Sequence, residues 1–521
     1  MRDAGFVSLV GAGPWDPELL TLAGRDRLAR ADVVIADYLA NPALLMHCRP
    51  DTLILQRVRG KHSGPRLAQD EVNRLLVEHA QAGKRVVRLK GGDPMMFGRG
   101  AEEAKVLRAA GVDYEFVPGV SSPIAAPEAA GIPITHRSHT PSVSFVSGYE
   151  AYEKAGLAVA WKHLANSAGT LVLMMSVKNA RTNAAKLVDA GREPSTPAAV
   201  VRWGTRGIQQ TVVGTLADIA DRMDAAQIRP PAVMVVGDVV SLREQLAWLE
   251  RRPLFGRRVV VTRAARQSGG LLHALAGAGA DAVAFPCLEV AAPEPAEREA
   301  LDAALAPDRL AGLEGVIVSS PNGADALFDA LARLNLDARA FAGKLLAAIG
   351  TGTAARCQAK GLRPDLIPAK ARSEGLIELL RARGLLGGRW LHVRADQGRK
   401  LLAEAISEAG GSIELVIGYR TVRPEVPGLL LDSLRPVADG GEGYDAICFA
   451  SGRTARHFLE TTGERFGADA ARGFLEQAKI VAIGPVTADA LAALDLRVDA
   501  VADTPSDAGM VEAVKGLFPK A

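Results

Sequence analysis

The residues best suited to ligand chemistry near the N-terminus form a glycine-rich turn after the first apolar run. This turn opens the segment GAGPWDPELLTL at 11–22. Gly11 and Gly13 permit a tight bend and a close approach of the backbone to a ligand. A dinucleotide fingerprint would need a third glycine where Asp16 stands, and Pro14 interrupts the turn. The segment therefore predicts a ligand-binding turn and disfavours a nicotinamide site.

A second glycine-rich loop lies further along the first half of the chain. The segment RLKGGDPMMFGRGAEEA at 88–104 places Gly91, Gly92 and Asp93 directly after an apolar strand, and a second glycine pair precedes a helix. A loop of this composition exposes backbone groups that are able to grip an adenosyl or methionyl moiety. Another strand-end turn follows in VPGVSSPIAAPEAAGIPITHR at 117–137, whose small residues let helices approach closely.

The second half of the chain carries a different set of polar residues. It has no Ser-His-Asp order, no metal-ligand cluster and no phosphate-binding loop. Hydroxyl and arginine side chains instead gather where apolar runs end: Thr262, Arg263, Ser319, Ser320, Thr351, Arg394, Ser451 and Thr487. Each alone is typical of a helix cap or a turn. Together with backbone N–H groups at helix N-termini, they predict a cleft that suits a polycarboxylate.

Short apolar strands that alternate with amphipathic helices must position these residues. Examples are FVSLV at 6–10, DVVIAD at 32–37, RVVRLKGG at 85–92, TLVLMM at 170–175, RVVVTR at 258–263 and GVIVSS at 315–320. Continuous apolar strands between helices favour parallel sheets that are covered on both faces. The predicted fold class is therefore α/β throughout.

The clearest domain boundary lies near the middle of the chain. A helical pattern ends there, a basic connector broken by proline and glycine occupies 251–256, and a new strand begins beyond it. This pattern predicts one domain over 1–250 and another over 257–521. Within the second, 315–331 and 444–460 share the pattern strand, Ser-containing turn and helix, so two similar lobes facing one cleft are expected.

Composition limits the classes of function. The chain has 521 residues, of which 48% are hydrophobic and 23% charged, as in an ordinary globular protein. Its 62 Lys plus Arg against 59 Asp plus Glu leave a net charge of +3, which disfavours nucleic acid as a partner. The cysteines lack metal-ligand spacing, no apolar run approaches the roughly 20 residues of a membrane span, and no signal peptide opens the chain. We expect a cytoplasmic protein without a metal.

The first half resembles the tetrapyrrole methylase family, and most closely its uroporphyrinogen-III C-methyltransferases, over about residues 5–250. The resemblance rests on the motifs GAGPWDPELLTL, RLKGGDPMMFGRG, VPGVSSPIAAP, TLVLMMSVKNA and PPAVMVVGDVVSLR. It implies two α/β lobes with S-adenosylmethionine, the methyl donor, between them, and a homodimer. It places these residues in the donor site: Pro14, Gly91, Gly92, Asp93, Met96, Ser121, Ser122, Met175, Gly204 and Ala232.

Two polar residues of the first half match positions that the family is proposed to use for proton transfer. Asp37, which ends the second strand, matches the proton acceptor. Arg57 stands where the family's proton-donor lysine is expected. Because a guanidinium stays protonated at any working pH, we hypothesise that Arg57 anchors a substrate carboxylate instead. The family usually has glycine where Trp15 stands, so a bulky ring is expected to border the donor turn.

The second half resembles the uroporphyrinogen-III synthases over about residues 254–521. The resemblance rests on the number and order of short motifs, among them RRVVVTRAA, VIVSSPNGADAL, AAIGTGTAA, VIGYRT, FASGRTARHF and AIGPVTADAL. It implies one lobe of 257–291 plus 423–521 and a second of 292–422. The implied reaction closes hydroxymethylbilane into uroporphyrinogen III and inverts the last ring. Tyr419 would assist the loss of hydroxide, and the strand-end hydroxyl and arginine side chains would bind the substrate.

The two resemblances support each other, since one half would produce what the other consumes. Two alternatives stay open: an inactive tetrapyrrole-binding second half, or a first half that methylates a later corrinoid intermediate. The sequence does not distinguish sirohaem from cobalamin biosynthesis. In each case the expected partners are small tetrapyrroles, with no nucleic acid and no membrane.

Overall fold

The computed structural model describes most of the chain. It covers residues 5–49, 51–56, 68–149, 159–167, 169–263, 265–398, 400–426, 430–431, 434 and 443–519. The chain divides into two compact units, one of Met1–Cys287 with Val426–Ala521 and the other of Leu288–Glu425. Arg57, the predicted carboxylate anchor, lies outside the described residues. In the part of the chain that is described, no helix is both long enough and apolar enough to cross a membrane.

The first sheet consists of parallel strands alone. Its strands are β1 (Phe6–Gly11), β2 (Val33–Ala36), β3 (Leu53–Gln56), β4 (Arg85–Lys90) and β5 (Asp113–Val117). The accompanying helices are α1 (Leu22–Arg30), α2 (Gln69–Gln81), α3 (Gly100–Ala109) and α4 (Ser122–Ala129). The strand order is β3-β2-β4-β1-β5. Because side chains alternate along a strand, Val7 and Leu9 join one apolar core and Val10 joins another. Both faces are therefore covered, as the apolar strands predicted.

The second sheet is mixed, and here the prediction of a parallel sheet is wrong. Its strands are β6 (Val143–Ser147), β7 (Thr170–Met174), β8 (Pro197–Arg202), β9 (Gln210–Thr215) and β10 (Ala232–Val236). Its helices are α5 (Trp161–Ser167), α6 (Ala180–Asp189), α7 (Ile219–Ala225) and α8 (Arg243–Leu246). In the order β6-β7-β10-β8-β9, only β6 and β7 run parallel. The turn at 203–209 is too short for a parallel crossover, so β8 and β9 must pair antiparallel.

The remaining strands form one sheet in each unit. They are β11 (Arg258–Val261), β12 (Asp281–Ala284), β13 (Glu289–Ala291), β14 (Gly315–Val318), β15 (Leu345–Ala348), β16 (Arg389–Ala395), β17 (Ser412–Val422), β18 (Ala446–Phe449), β19 (Lys479–Ala482) and β20 (Ala500–Val501). The sheet of the larger unit is parallel, in the order β12-β11-β18-β19-β20. The sheet of the smaller unit has the order β13-β17-β16-β14-β15, and only its edge strand β13 is antiparallel.

Helices flank both of these sheets and begin at the strand-end turns. They are α9 (Ala265–Gly277), α10 (Pro295–Ala304), α11 (Pro307–Ala311), α12 (Pro321–Arg333), α13 (Thr351–Ala359), α14 (Ser373–Ala382), α15 (Leu401–Glu408), α16 (Gly452–Phe466), α17 (Ala468–Gln477), α18 (Pro485–Ala492) and α19 (Asp507–Leu517). Two apolar cores lie against each sheet. The α/β class predicted from the strand–helix alternation is confirmed.

Candidate functional site

Three glycine turns meet at the carboxyl ends of neighbouring strands in the first sheet. The Gly13 N–H donates to the Gly92 carbonyl at 3.2 Å, and the Gly92 N–H donates to the Gly13 carbonyl at 2.8 Å. A Cβ on Gly11 would lie 2.6 Å from the Gly119 Cα, which real Cβ atoms essentially never do. A side chain at Gly11 would push the turns apart. The glycines thus leave a surface of bare backbone at this edge of the sheet.

The Asp93 side chain organises the loop that follows β4. Its Oδ1 accepts the Met95 N–H at 2.8 Å and the Met96 N–H at 3.1 Å. Its Oδ2 accepts the Gly119 N–H at 3.1 Å. With both oxygens engaged by backbone donors, the carboxylate shapes the loop and links it to the turn after β5. Gly91 is needed beside it, because a Cβ there would lie 2.7 Å from the Leu39 Cβ.

Ser121 and Ser122 lie close to Gly92 of this loop. Ser121 is the residue before α4 and is buried. A Cβ built on Gly92 would lie 3.7 Å from the Ser122 nitrogen and 4.0 Å from the Ser121 Cα. Gly92 has a φ of +70°, a conformation that favours glycine. The predicted donor residues of the first sheet are therefore neighbours.

The second sheet adds residues from its own strand ends. A Cβ on Gly204 would overlap the Ala126 side chain in α4, so this turn packs closely against the helix that begins at Ser122. The Thr205 hydroxyl donates to the Pro14 carbonyl at 2.7 Å, which ties the turn to the first glycine turn. The structure thus brings Pro14 and Gly204 together although 190 residues separate them in the sequence.

Met175 and Ala232 lie at adjoining positions of the second sheet. Strands β7 and β10 pair with Met174 opposite Val233, so Met175 follows and Ala232 precedes that pair. Met175 has a φ of +55° and a side chain that is 42% exposed. An exposed methionine in a strained backbone conformation is unusual for a core residue, and it leaves the thioether accessible to a ligand.

A buried group of charges lies beneath Asp37, and the sequence analysis missed it. Arg88 and Glu103 are fully buried and pair at 3.2 Å, and the Lys90 ammonium lies 2.9 Å from the same carboxylate. Burial alone would raise the pKa of Glu103, but Arg88 and Lys90 outweigh it and hold that pKa below its ordinary value. The Arg88 guanidinium also lies 3.9 Å from the Asp37 carboxylate. The alternation of charged and apolar residues in VVRLKGG was the one signal for this group.

In the larger unit, three predicted substrate residues come to one sheet edge. Arg263, Ser451 and Thr487 follow the neighbouring parallel strands β11, β18 and β19. Ser451 caps α16 by accepting the Thr454 N–H at 3.3 Å. The Arg263 guanidinium donates to the Asp507 carboxylate at 2.9 Å. A substrate carboxylate would therefore meet an arginine that is already oriented, though partly neutralised.

In the smaller unit, Ser319, Ser320 and Thr351 follow strands β14 and β15, whereas Arg394 lies within β16 and Tyr419 within β17. Ser320 caps α12 by accepting the Gly323 N–H at 3.0 Å, and its hydroxyl is 2.9 Å from the Tyr419 hydroxyl. Arg394 is half-buried and its Nε donates to the neighbouring Ala395 carbonyl at 3.1 Å. The other two members of the set are the half-buried Ser319 and the exposed Thr351, at the ends of adjacent strands.

The described residues contain no group of three or more His, Cys, Asp or Glu side chains placed to hold a metal ion. Burial raises the pKa of Cys448 to about 12, so that thiol stays protonated.

Comparison with known families gives two matches, one in each half of the chain. Residues 7–220 match the tetrapyrrole (corrin/porphyrin) methylases. Residues 271–512 match the family of the uroporphyrinogen-III synthase HemD. The two matches do not overlap.

Similar proteins extend over both halves. A uroporphyrinogen-III C-methyltransferase of Bacillus subtilis is 39% identical over 66% of this chain and 69% of its own length. A porphyrin biosynthesis protein HemD of Ruminiclostridium josui is 36% identical over 70% of this chain and 71% of its own. An S-adenosyl-L-methionine-dependent uroporphyrinogen III methyltransferase of Methanosarcina barkeri is 46% identical over 46% of this chain and 94% of its own. The chain therefore belongs to the tetrapyrrole methylase family through its first half and to the uroporphyrinogen-III synthase family through its second.

Proposed function

We propose that this protein makes uroporphyrinogen III and then methylates it. The second half cyclises hydroxymethylbilane, and the first half transfers methyl groups from S-adenosylmethionine to uroporphyrinogen III to give precorrin-2. The division into 1–250, a linker at 251–256 and 257–521 is part of this proposal. The observation that supports it best is the meeting of three glycine turns with Gly204, because it joins residues that the family resemblance assigns to one donor site.

The exposed backbone of the glycine turns around Gly92 fits the methyl donor chemically. An adenosyl group with an amino-acid tail needs a flat apolar surface and backbone hydrogen-bonding groups, which bare glycine turns and a capless helix start provide. The residues proposed to hold the donor are Pro14, Gly91, Gly92, Asp93, Met96, Ser121, Ser122, Met175, Gly204 and Ala232. When bound, S-adenosylmethionine supplies an electrophilic methyl carbon on a sulfonium.

The protein's own task in methylation is orientation and proton transfer. A pyrrole carbon of the porphyrinogen is electron-rich, so holding it in line with the methyl carbon supplies much of the rate enhancement. That carbon gains the methyl group, and the ring system then loses a proton, for which Asp37 is the proposed acceptor. Arg88 attracts the Asp37 carboxylate across 3.9 Å and so limits its orientations. Arg57 is the proposed anchor for a substrate carboxylate.

In the synthase half, Tyr419 is the proposed proton donor. Since Ser320 Oγ already accepts the Gly323 N–H, it can donate its own proton to the Tyr419 oxygen, which leaves the phenolic O–H for the substrate. The departing hydroxide takes that proton and leaves as water. The resulting azafulvene cation is attacked by the already substituted carbon of the terminal pyrrole, which gives a spiro intermediate. One bond of this intermediate then breaks and the ring recloses with the last pyrrole inverted, and the proton released on that closure restores the phenol. Binding of the substrate's carboxylates is assigned to Arg263, Ser319, Ser320, Thr351, Arg394, Ser451 and Thr487.

One incubation tests both activities. The full chain is given hydroxymethylbilane and methyl-labelled S-adenosylmethionine, and the products are identified by mass and by isomer analysis. We expect labelled precorrin-2, and uroporphyrinogen III when the donor is omitted. Type I isomer at the spontaneous rate would refute the synthase assignment. Unlabelled uroporphyrinogen III in the presence of donor would refute the methyltransferase assignment.

Three finer points belong to the same proposal. We place the enzyme in the cytoplasm, without a metal, and as a homodimer through the methyltransferase half. The scattered cysteines and the absence of a metal-ligand spacing in the sequence support the first two points. Activity that survives chelators, and a mass near twice 54.7 kDa by light scattering, are the expected results.

A further inference from the structure

A buried arginine connects the two halves of the chain. Arg206 lies in the turn between β8 and β9, and Asp281 begins β12 in the synthase half; both belong to the same compact unit. The Arg206 Nε and Nη2 donate to the two Asp281 carboxylate oxygens at 3.0 and 2.7 Å. Both side chains are almost completely buried. Such a bidentate pair fixes the guanidinium in position and in orientation.

The same guanidinium lies between two tryptophans. Its Cζ is 4.2 Å from the centre of the Trp15 ring and 4.4 Å from that of Trp203. The two rings are 5.9 Å apart in an edge-on arrangement. Trp15 directly follows Pro14, and Trp203 directly precedes Gly204. Arg206 therefore contacts the neighbours of two residues in the proposed donor site, one from each sheet of the methylase half.

Further contacts connect the two sides of this junction, around a cavity that Trp15, Arg206 and Asp281 help to line. The Asn41 side chain donates to the Trp15 carbonyl at 2.9 Å, which adds to the bond from Thr205 to Pro14. Gly207, which follows Arg206, packs closely on the synthase half. A Cβ on Gly207 would overlap the backbone of Asp281. Leu254, in the proposed linker, is fully buried. The linker is thus packed against the folded protein. Only a few contacts separate Asp281 from the donor turn, so a displacement of Asp281 would also displace that turn.

We propose that Asp281 and Arg206 are positioning residues for methyl transfer, through which the synthase half fixes the donor turn of the methyltransferase. This inference rests on the proposed function of the first half. Asp281 orients Arg206, Arg206 holds the Trp15 ring, and the ring sets the Pro14 turn. Donor affinity then depends on a residue that lies outside the methyltransferase half.

The first test compares Asp281→Asn with a matched control, Asp499→Asn. Asp499 precedes β20, the edge strand on the opposite side of the same sheet from β12, and it pairs with Lys479 and Arg497. We expect Asp281→Asn to raise the Kd and KM for S-adenosylmethionine about tenfold, the change that about 1.4 kcal/mol gives. We expect kcat to change less than threefold and the tryptophan fluorescence maximum to shift. Asp499→Asn should leave all of these unchanged.

A second pair of variants covers the outcome in which Asp281→Asn does not fold. Trp15→Leu and Trp15→Phe both keep a Cβ at the positive φ of 95°, so they differ mainly in the aromatic face offered to Arg206. We expect Trp15→Phe to bind the donor nearly as the wild type does, and Trp15→Leu to bind it several-fold more weakly. Equal affinities in these two variants, or a wild-type KM in folded Asp281→Asn, would overturn the proposal.

The wild type separates this inference from the proposed function. If wild-type protein neither binds S-adenosylmethionine by calorimetry nor methylates uroporphyrinogen III, the function of the first half is wrong. If it does both and Asp281→Asn matches it, only the positioning role is wrong. Synthase rates measured on the same preparations report whether the second half is intact.

Discussion

The Asp93 carboxylate is the structural anchor of the loop that we expect to hold the methyl donor. It accepts three backbone N–H groups, from Met95, Met96 and Gly119, at 2.8 to 3.1 Å. In Asp93→Asn, one oxygen can keep the two bonds within the loop. The new amide N–H₂ then faces the Gly119 N–H, so two donors oppose each other and the link to the turn after β5 is lost.

The magnitude follows from the number and kind of bonds. A hydrogen bond to a charged group contributes about 1.5–3 kcal/mol, and a buried N–H left without a partner costs about 1–3 kcal/mol. Asp93→Asn removes one of these bonds and leaves the other two with an uncharged acceptor. The ordered conformation of the loop is therefore destabilised by roughly 2–4 kcal/mol. Because the donor binds only the ordered loop, a penalty of about 2 kcal/mol raises its Kd about 30-fold.

Calorimetric titration with S-adenosylhomocysteine measures this Kd directly. The matched control is Asp113→Asn, an exposed carboxylate at the start of β5, which should bind as the wild type does. The synthase rate of the same samples reports that the second half has folded. A Kd within twofold of wild type for Asp93→Asn would refute the argument that backbone order in this loop determines donor binding.

Three further predictions concern other residues. Tyr419→Phe should slow formation of the type III isomer about 100-fold if the phenol is a proton donor, whereas Tyr444→Phe, whose hydroxyl donates to a backbone carbonyl, should not slow it. Glu103→Gln leaves two buried cations without their carboxylate and should lower the free energy of unfolding by about 3–5 kcal/mol, whereas the exposed Glu102→Gln should cost less than about 1 kcal/mol. Burial lowers the pKa of His392 from 6.5 to about 4, so between these pH values the unfolded chain binds a proton that the folded chain does not. Denaturant titrations should show that between pH 6.5 and 4 the free energy of unfolding of the wild type falls by about 3 kcal/mol more than that of His392→Gln. Above pH 6.5 the free energies of unfolding of the two proteins should depend on pH in the same way.

Much of the fold could be predicted because the relevant signals are local. A run such as Val33 to Ala36 is apolar on both faces, which indicates a strand covered on both sides. Polar residues that follow such runs come to a common edge whenever the strands are parallel neighbours. The sequence predicted one cleft for all the strand-end residues of the second half, and three of them, Arg263, Ser451 and Thr487, lie at one sheet edge.

The pairing partners in the second sheet were not predictable in the same way. Strand β10 inserts between β7 and β8 and runs antiparallel to both, although its sequence AVMVV is as apolar as that of any parallel strand. A strand that is buried on both faces carries no alternation, so its direction leaves no mark on the sequence. The short turn after Arg202 was the one feature that could have indicated a hairpin.

Buried ion pairs are the second class of feature that sequence reasoning missed. Arg206 and Asp281 are 75 residues apart, and each alone is typical of a solvated turn. Their burial becomes reasonable only when the partner, the geometry and the flanking rings are known, since an unpaired charge there would be strongly destabilising. Charge identity can be read from sequence, but charge complementarity between distant segments cannot.

Trp15 shows how a departure from a family pattern acquires a physical meaning. From sequence, a large ring in place of glycine is expected to border the donor turn. In the structure that ring lies against Arg206, whose charge is balanced by Asp281 in the other half of the chain. Glycine at this position would leave one face of a buried guanidinium without a contact, which is costly in a protein interior. The tryptophan, the arginine and the aspartate therefore form one interdependent set, and a methyltransferase without a fused synthase has no Asp281 to complete it.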